Sequence, residues 1–352
     1  MIKKKNIRKF DQDELIEIIE SWGERSFRAK QVHQWLWKKG IADFNEMKNV
    51  PASLIERLIE EFEIYKLQVE DEQHSTDGTI KSAFRMYDGN VVEGVLIPSR
   101  TRMTACISTQ VGCSLSCSFC ATGKLERLRN LSADEIYDQV VAVNEQSIKN
   151  QNKHLSNIVY MGMGEPLLNY KETLRSIKMI TSNEGLGMSP KRITVSTAGI
   201  SKMIKKLGDD AVRFNLALSL HAADDEKRSE IMAINKENSL ESLSEALKYF
   251  YDKTGSRITL EYILFNKFND TMEDAANLAK FSKVVPVKIN IIEYNSIDGA
   301  NFTKSDPQRT DAFAKYLEER NIIVNVRRSR GKDIDAACGQ LANKNKASKK
   351  EL

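Results

Sequence analysis

Apolar and polar residues alternate along the chain with two different periods. Up to about residue 66 the apolar positions recur at helical spacing in DQDELIEIIESW, FRAKQVHQWLWKK and SLIERLIEEFEI, which predicts three amphipathic helices. Trp35 and Trp37 lie two apart and cannot share a helix face, so one is expected in the small core and the other outside it. Residues 67–103 alternate like strands around Asp88-Gly89, a hairpin turn signal. From about 104 the pattern becomes strand then helix, repeated, with strands expected at 104–109, 156–161, 192–196, 214–219, 257–264, 287–293 and 322–327. One helix start is clearly signed: Ser132 is an N-cap with Glu135 three later, and Leu131 and Ile136 form a hydrophobic staple. Another begins at Asp306, with Pro307 in the first helical position. Repeated βα units predict an α/β fold, a parallel sheet with its sites at the carboxyl-terminal edge.

The 352 residues suit about two domains. With 53 basic against 49 acidic residues the net charge is only +4, so affinity for a polyanion has to come from local patches. Three sets qualify: Lys3, Lys4, Lys5, Arg8 and Lys9; then Arg327, Arg328, Arg330 and Lys332; then Lys344, Lys346, Lys349 and Lys350. A solvated surface explains each of them as well. The start MIKKKNIRKFDQDE has no apolar h-region and no stretch approaches a membrane span, so a cytosolic protein is expected, with its thiols reduced.

The thiols change the picture. Cys113, Cys117 and Cys120 sit in GCSLSCSFCATG, while Cys106 and Cys338 stand alone. The C-x3-C-x2-C spacing offers three thiolates from one loop of small residues. A structural zinc site normally closes with four ligands, and none of His33, His74, His154 or His221 is near. An ordinary 4Fe-4S electron carrier likewise uses four cysteines. Three ligands on a cubane leave one iron open, which suits a cofactor that chelates it; S-adenosylmethionine (SAM) can do so through its amino and carboxylate groups.

With Phe119 in the aromatic slot, C-x3-C-x-aromatic-C resembles the signature of the radical SAM superfamily. The segments VEGVLIP (92–98), TACISTQVGCSLSCSFCATG (104–123), MGMGEPLLN (161–169), TVSTAGI (194–200), LALSLHAADDEKR (216–228), INIIEYN (289–295) and DIDAACGQLA (333–342) resemble the RlmN family in order and over nearly the whole length. The sister family Cfr has MGMGEALAN where this chain has MGMGEPLLN.

The resemblance implies a partial six-stranded (β/α) barrel over 104–342, a helical RNA-binding accessory domain over 1–66, a β-hairpin connector over 67–103 and a basic tail over 343–352. It implies a 4Fe-4S cluster on Cys113, Cys117 and Cys120, and SAM contacts from Gly164, Glu165, Ser196, Ser219, Leu220, His221 and Asn295. The implied reaction methylates carbon 2 of an adenine in 23S rRNA and of the adenine 3′ to the anticodon in some tRNAs, using two SAM. Cys338 is the implied methyl carrier, Glu93 the proton acceptor and Cys106 the resolving thiol that ends in a disulfide with Cys338. A flavodoxin or ferredoxin would feed the cluster, and a monomer is implied.

Read without the resemblance, Cys106 also suits a buried strand position and Glu93 the polar member of an alternating strand. Gly164, Ser196 and Ser219 each also suit a turn or cap. Two other classes stay open on the residues alone: a radical SAM enzyme of a peptide or small molecule, which has no need of both lone cysteines, and an iron–sulfur or zinc protein with Cys338 as distant fourth ligand.

Overall fold

The computed structural model describes residues 4–343, so Lys3 and the basic residues of the 344–352 tail lie outside the described residues. The amino-terminal region holds α1 (Gln12–Ser21), α2 (Ser26–Gln34) and α3 (Ala52–Glu61). Asp11 caps α1 by accepting from the Asp13 and Glu14 amides, and Glu14 accepts in return from the Asp11 amide, so three donors at the helix start are met. Their apolar faces, with Leu15, Ile19, Val32, Leu36, Leu54 and Leu58, close a small core. The strands β1 (Lys5–Asn6) and β2 (Phe62–Glu63) pair across its ends.

Trp37 is in that core, edge-on to Tyr137 at 5.1 Å, while Trp35 is half-buried and donates its indole N–H to Asn49 at 2.6 Å. Arg8, which the sequence placed in a surface patch, is fully buried. It pairs with Asp138 at 2.7 Å and lies 4.5 Å over the Trp37 ring. Its role is to dock the helices on the next domain, where a buried charge is stable only because it is paired. Asn6 does the same with Asp134 at 2.7 Å.

One ten-stranded sheet carries the rest of the chain. It begins with an antiparallel run of β3 (Gln68–His74), β4 (Ile80–Arg85) and β5 (Val91–Pro98), and β5 then pairs with β6 (Met103–Cys106). The expected hairpin is therefore a three-stranded meander. Asp77-Gly78 carries the same turn signal as Asp88-Gly89, and Gly78 takes φ +83° while the Ser75 amide donates to the Thr79 carbonyl. The two-residue strands β7 (Gln110–Val111) and β8 (Arg129–Asn130) pair with each other beyond β6.

From β6 the sheet is parallel through β9 (Asn157–Tyr160), β10 (Ile193–Thr197), β11 (Asn215–Ser219), β12 (Ile258–Leu264), β13 (Val287–Glu293) and β14 (Ile323–Arg327). The first six of these form the partial barrel and β14 lengthens it at the edge. Helix α4 (Ala133–Gln151) starts at Ser132 with the expected capping box, and α10 (Pro307–Glu318) starts on Asp306. Strand order ends at β14 and turns into the meander after β6, so the barrel has an open seam between β6 and β14.

Candidate active site

Each parallel strand delivers its following loop to one edge of the sheet, and the sequence motifs sit in those loops. The first loop carries Cys113, Cys117 and Cys120. A Cβ on Gly112, whose φ is +76°, would meet the Glu126 carbonyl oxygen at 1.9 Å, and one on Gly123 would meet the Cys117 carbonyl oxygen at 2.8 Å. Only glycine lets this loop fold so closely on itself. Its outer side is anchored by the Ser118 amide on the Ile231 carbonyl at 3.1 Å and the Ala121 amide on the Gly339 carbonyl at 2.7 Å. All three thiols face one chamber of about 160 Å³. Among the described residues no three His, Cys, Asp or Glu side chains gather closely enough to hold a single metal ion.

Gly164, Glu165, Ser196, Ser219 and His221 line the same chamber. The buried Glu165 carboxylate accepts from the Leu167 amide at 2.9 Å and the Ala198 amide at 2.8 Å, while its burial pushes its pKa up. The Thr197 side chain bonds to it as well, and of the roughly four lone-pair sites of a carboxylate these three bonds leave one for an ammonium donor. The Ser196 and Ser219 hydroxyls are 3.2 Å apart, joining the ends of β10 and β11. His221 accepts from the Ile263 amide on Nδ1 at 3.1 Å, and burial, then Arg228, lowers its pKa to about 3. It is a neutral imidazole with its proton on Nε2, and Phe119 packs edge-on to it at 4.8 Å.

Leu220 and Asn295 are outside the chamber wall. The Leu220 side chain is fully buried, its amide donates to the Glu261 carbonyl at 3.0 Å, and its carbonyl accepts from Arg228. Asn295 lies behind the wall, with its Nδ2 3.5 Å from the Cys338 carbonyl oxygen.

Two residues of the site, Glu261 and Arg228, are not singled out by the sequence, and a third, Arg327, figures there only as a member of a basic patch. Glu261 lines the chamber, accepts from Asn290 at 2.7 Å and lies 3.5 Å from Arg327. A carboxylate in the wholly buried strand ITLEYIL was a readable signal, because such a strand is otherwise a continuous apolar run. Arg327 lines the chamber beside Cys338. Arg228 is fully buried and donates to the carbonyls of Ala198, Ser219 and Leu220 and to Asn235, tying three loops together. Nothing in the local sequence sets it apart from an ordinary helix cation. Arg228→Met is expected to destabilise the apoprotein by on the order of 3 kcal/mol or more, since each stranded buried carbonyl costs about 1–3 kcal/mol; denaturant unfolding measures it, and a change below about 1 kcal/mol would remove the tie from the account.

A second cavity, about 320 Å³, adjoins the chamber along the seam. Cys338 and Arg327 stand in the wall shared by the two, and Cys106 lines the second alone. Burial pushes the Cys106 thiol up to about 12, and it also raises Cys338 against the opposing pull of Arg327. Glu93 lines neither cavity. It lies one pleat beyond Val95, the register partner of Cys106, on the same face of β5. Its carboxylate accepts from the Ala342 amide at 2.8 Å, so it is tied to the segment that carries Cys338.

Thiols, glycine and carboxylate at successive strand ends of a partial barrel define the radical SAM class, and residues 107–279 match the radical SAM superfamily. Residues 5–64 match the ribosomal RNA large subunit methyltransferase N-terminal domain. The chain is 54% identical over 343 residues, 97% of its length and 99% of the other's, to a probable dual-specificity RNA methyltransferase RlmN of Flavobacterium psychrophilum. A dual-specificity RNA methyltransferase RlmN of an Anaeromyxobacter species is 41% identical over 96% of this chain and 90% of its own. The crystal structure of a radical SAM methyltransferase from Sphaerobacter thermophilus superposes with a TM-score of 0.89 at 36% identity, covering 96% of this chain and 99% of that one. The chain belongs to the RlmN family of radical SAM RNA methyltransferases. Among the described residues no helix is long and apolar enough to cross a membrane.

Proposed function

We propose that the protein methylates carbon 2 of one adenine in 23S rRNA, and of the adenine 3′ to the anticodon in some tRNAs. The observation that carries this reading is the position of Cys338 in the wall between the chamber, with its three thiols, and the cavity that holds Cys106. A methyl carrier has to meet its donor on one side and the RNA base on the other.

Cys113, Cys117 and Cys120 would hold a 4Fe-4S cluster, since three soft thiolates on a glycine-bent loop fit its donor set. The SAM ammonium suits Glu165 and its ribose suits Ser196, Ser219 and the Nε2 proton of His221. Leu220 and Asn295 would act through backbone and position. When bound, the cluster supplies the electron that splits SAM into methionine and a 5′-deoxyadenosyl radical, and a flavodoxin or ferredoxin is a suitable donor.

Carbon 2 of adenine is flanked by two ring nitrogens and does not attack a methyl cation equivalent, so the carbon has to arrive as a radical. Cys338 first takes a methyl from one SAM by displacement, releasing S-adenosylhomocysteine and its own thiol proton. A hydrogen atom of that S-methyl group would pass to the 5′-deoxyadenosyl radical, giving 5′-deoxyadenosine and a carbon radical on Cys338, which bonds to carbon 2 and ties RNA to protein. Glu93 accepts the carbon 2 proton. Cys106 then attacks the Cys338 sulfur, its proton ends on the released methyl, and a Cys106–Cys338 disulfide remains. Two thiols become a disulfide while one SAM is reductively split, so the electron that opens the turnover is given back at its end.

Nucleoside mass spectrometry of RNA after turnover is expected to find 2-methyladenosine. If 8-methyladenosine is the main product, the regiochemistry proposed here is wrong and the reaction is that of Cfr.

A further inference from the structure

The second cavity lies along the seam between β6 and β14, and its charge is one-sided. Arg102, just before β6, stands on one lip, and Arg327, Arg328 and Arg330 stand on the other. No aspartate or glutamate lines the cavity between them. Its inner wall is apolar, with Val95, Ile97 and Leu341 leading to Cys106 and Cys338.

The basic residues of this region differ in what already holds them. Arg327 pairs with Glu261 at 3.5 Å, and Lys332 with Glu293 at 2.6 Å. Arg102 and Arg328 are exposed, and among the described residues neither has a carboxylate within 4.0 Å. Arg330 donates to the Asp77 carbonyl at 3.4 Å, and among the described residues it too has no carboxylate within 4.0 Å. Three unneutralised guanidinium groups around one mouth repel each other, and an anion with several oxygens relieves that repulsion.

We infer that Arg102, Arg328 and Arg330 form a clamp for the RNA phosphates on either side of the target nucleotide, whose base enters the seam with its faces against Val95, Ile97 and Leu341. The inference rests on the reading of the protein as an RNA adenine methyltransferase. Guanidinium forks grip phosphate oxygens in pairs, which fixes the register of the strand without reading its sequence. Unstacking a base costs a few kcal/mol, and contacts to its flanking phosphates offset that cost. Arg327, held by Glu261, and Lys332, held by a Glu293 that it shares with Lys304, take no part.

The test uses reconstituted holoenzyme and a tRNA transcript, with binding measured across a range of salt concentrations. Each phosphate contact to a single strand contributes about 0.7 to the slope of log affinity against log salt. The triple variant R102Q/R328Q/R330Q is expected to lose about 2 from that slope, the sum of three contacts, and to bind roughly tenfold or more weakly at physiological salt. The matching triple lysine variant keeps the charges and is expected to recover most of the slope, and K332Q to leave it unchanged. A triple glutamine variant with the wild-type slope and affinity overturns the clamp, as does K332Q producing the same loss. Failure of the underlying reading shows separately, because unaltered holoenzyme then forms no methyladenosine.

Discussion

Replacing any one of Cys113, Cys117 or Cys120 by alanine is expected to leave the reconstituted protein with background iron and no detectable SAM cleavage. The chamber offers these three thiols and Cys338, which the proposed reaction reserves for methyl transfer. With two thiolates left, two of the four irons have no protein ligand, and the cubane is lost to solvent. The loop itself is expected to survive, because Gly112, Gly123 and the amide bonds of Ser118 and Ala121 shape it without the sulfurs. Iron content, the EPR signal of the reduced protein with and without SAM, and 5′-deoxyadenosine release measure the outcome. Turnover in such a variant would sink the cluster assignment, while a SAM-dependent change in the wild-type signal excludes a purely structural site.

The two lone thiols are expected to fail in opposite ways. Cys338→Ala removes the methyl carrier, so no methyl label reaches the protein, no RNA becomes attached and no product forms. Cys106→Ala leaves the carrier at the shared wall and removes the group that breaks the adduct, so protein bound to RNA accumulates as a nuclease-sensitive band shifted on a denaturing gel. Burial holds Cys106 as a neutral thiol, with its pKa near 12, which suits a group that acts only once the adduct is in place beside it. Normal turnover by the Cys106 variant without an adduct would return Cys106 to a packing role in β6.

The cysteine spacing, the strand and helix periods and the cap at Ser132 are local in sequence, and for that reason they were legible before any fold was known. A C-x3-C-x2-C run keeps its three sulfurs within one loop, and period 2 or 3.6 is written residue by residue. The second turn at Asp77-Gly78 is equally local and carries the same dipeptide signal, with Gly78 at φ +83°. The split between Trp35 and Trp37 followed from helix geometry, but which of them would be buried depended on Arg8 and Tyr137.

What the sequence alone determined, then, is the set of strand-end motifs and the class of chemistry their residue types permit. The tertiary structure decided which distant residues meet. Arg8 looked like surface charge until Asp138, on α4, was brought to it. Arg228 became the tie between three loops, Glu261 and Arg327 formed a pair across β12 and β14, and Glu93 was joined to Ala342. Cys106 and Cys338, far apart in the chain, came to line one cavity because the barrel stays open between β6 and β14. Such pairings depend on which strands neighbour which and on burial that changes the cost of a charge, and neither quantity is carried by any single stretch of the chain.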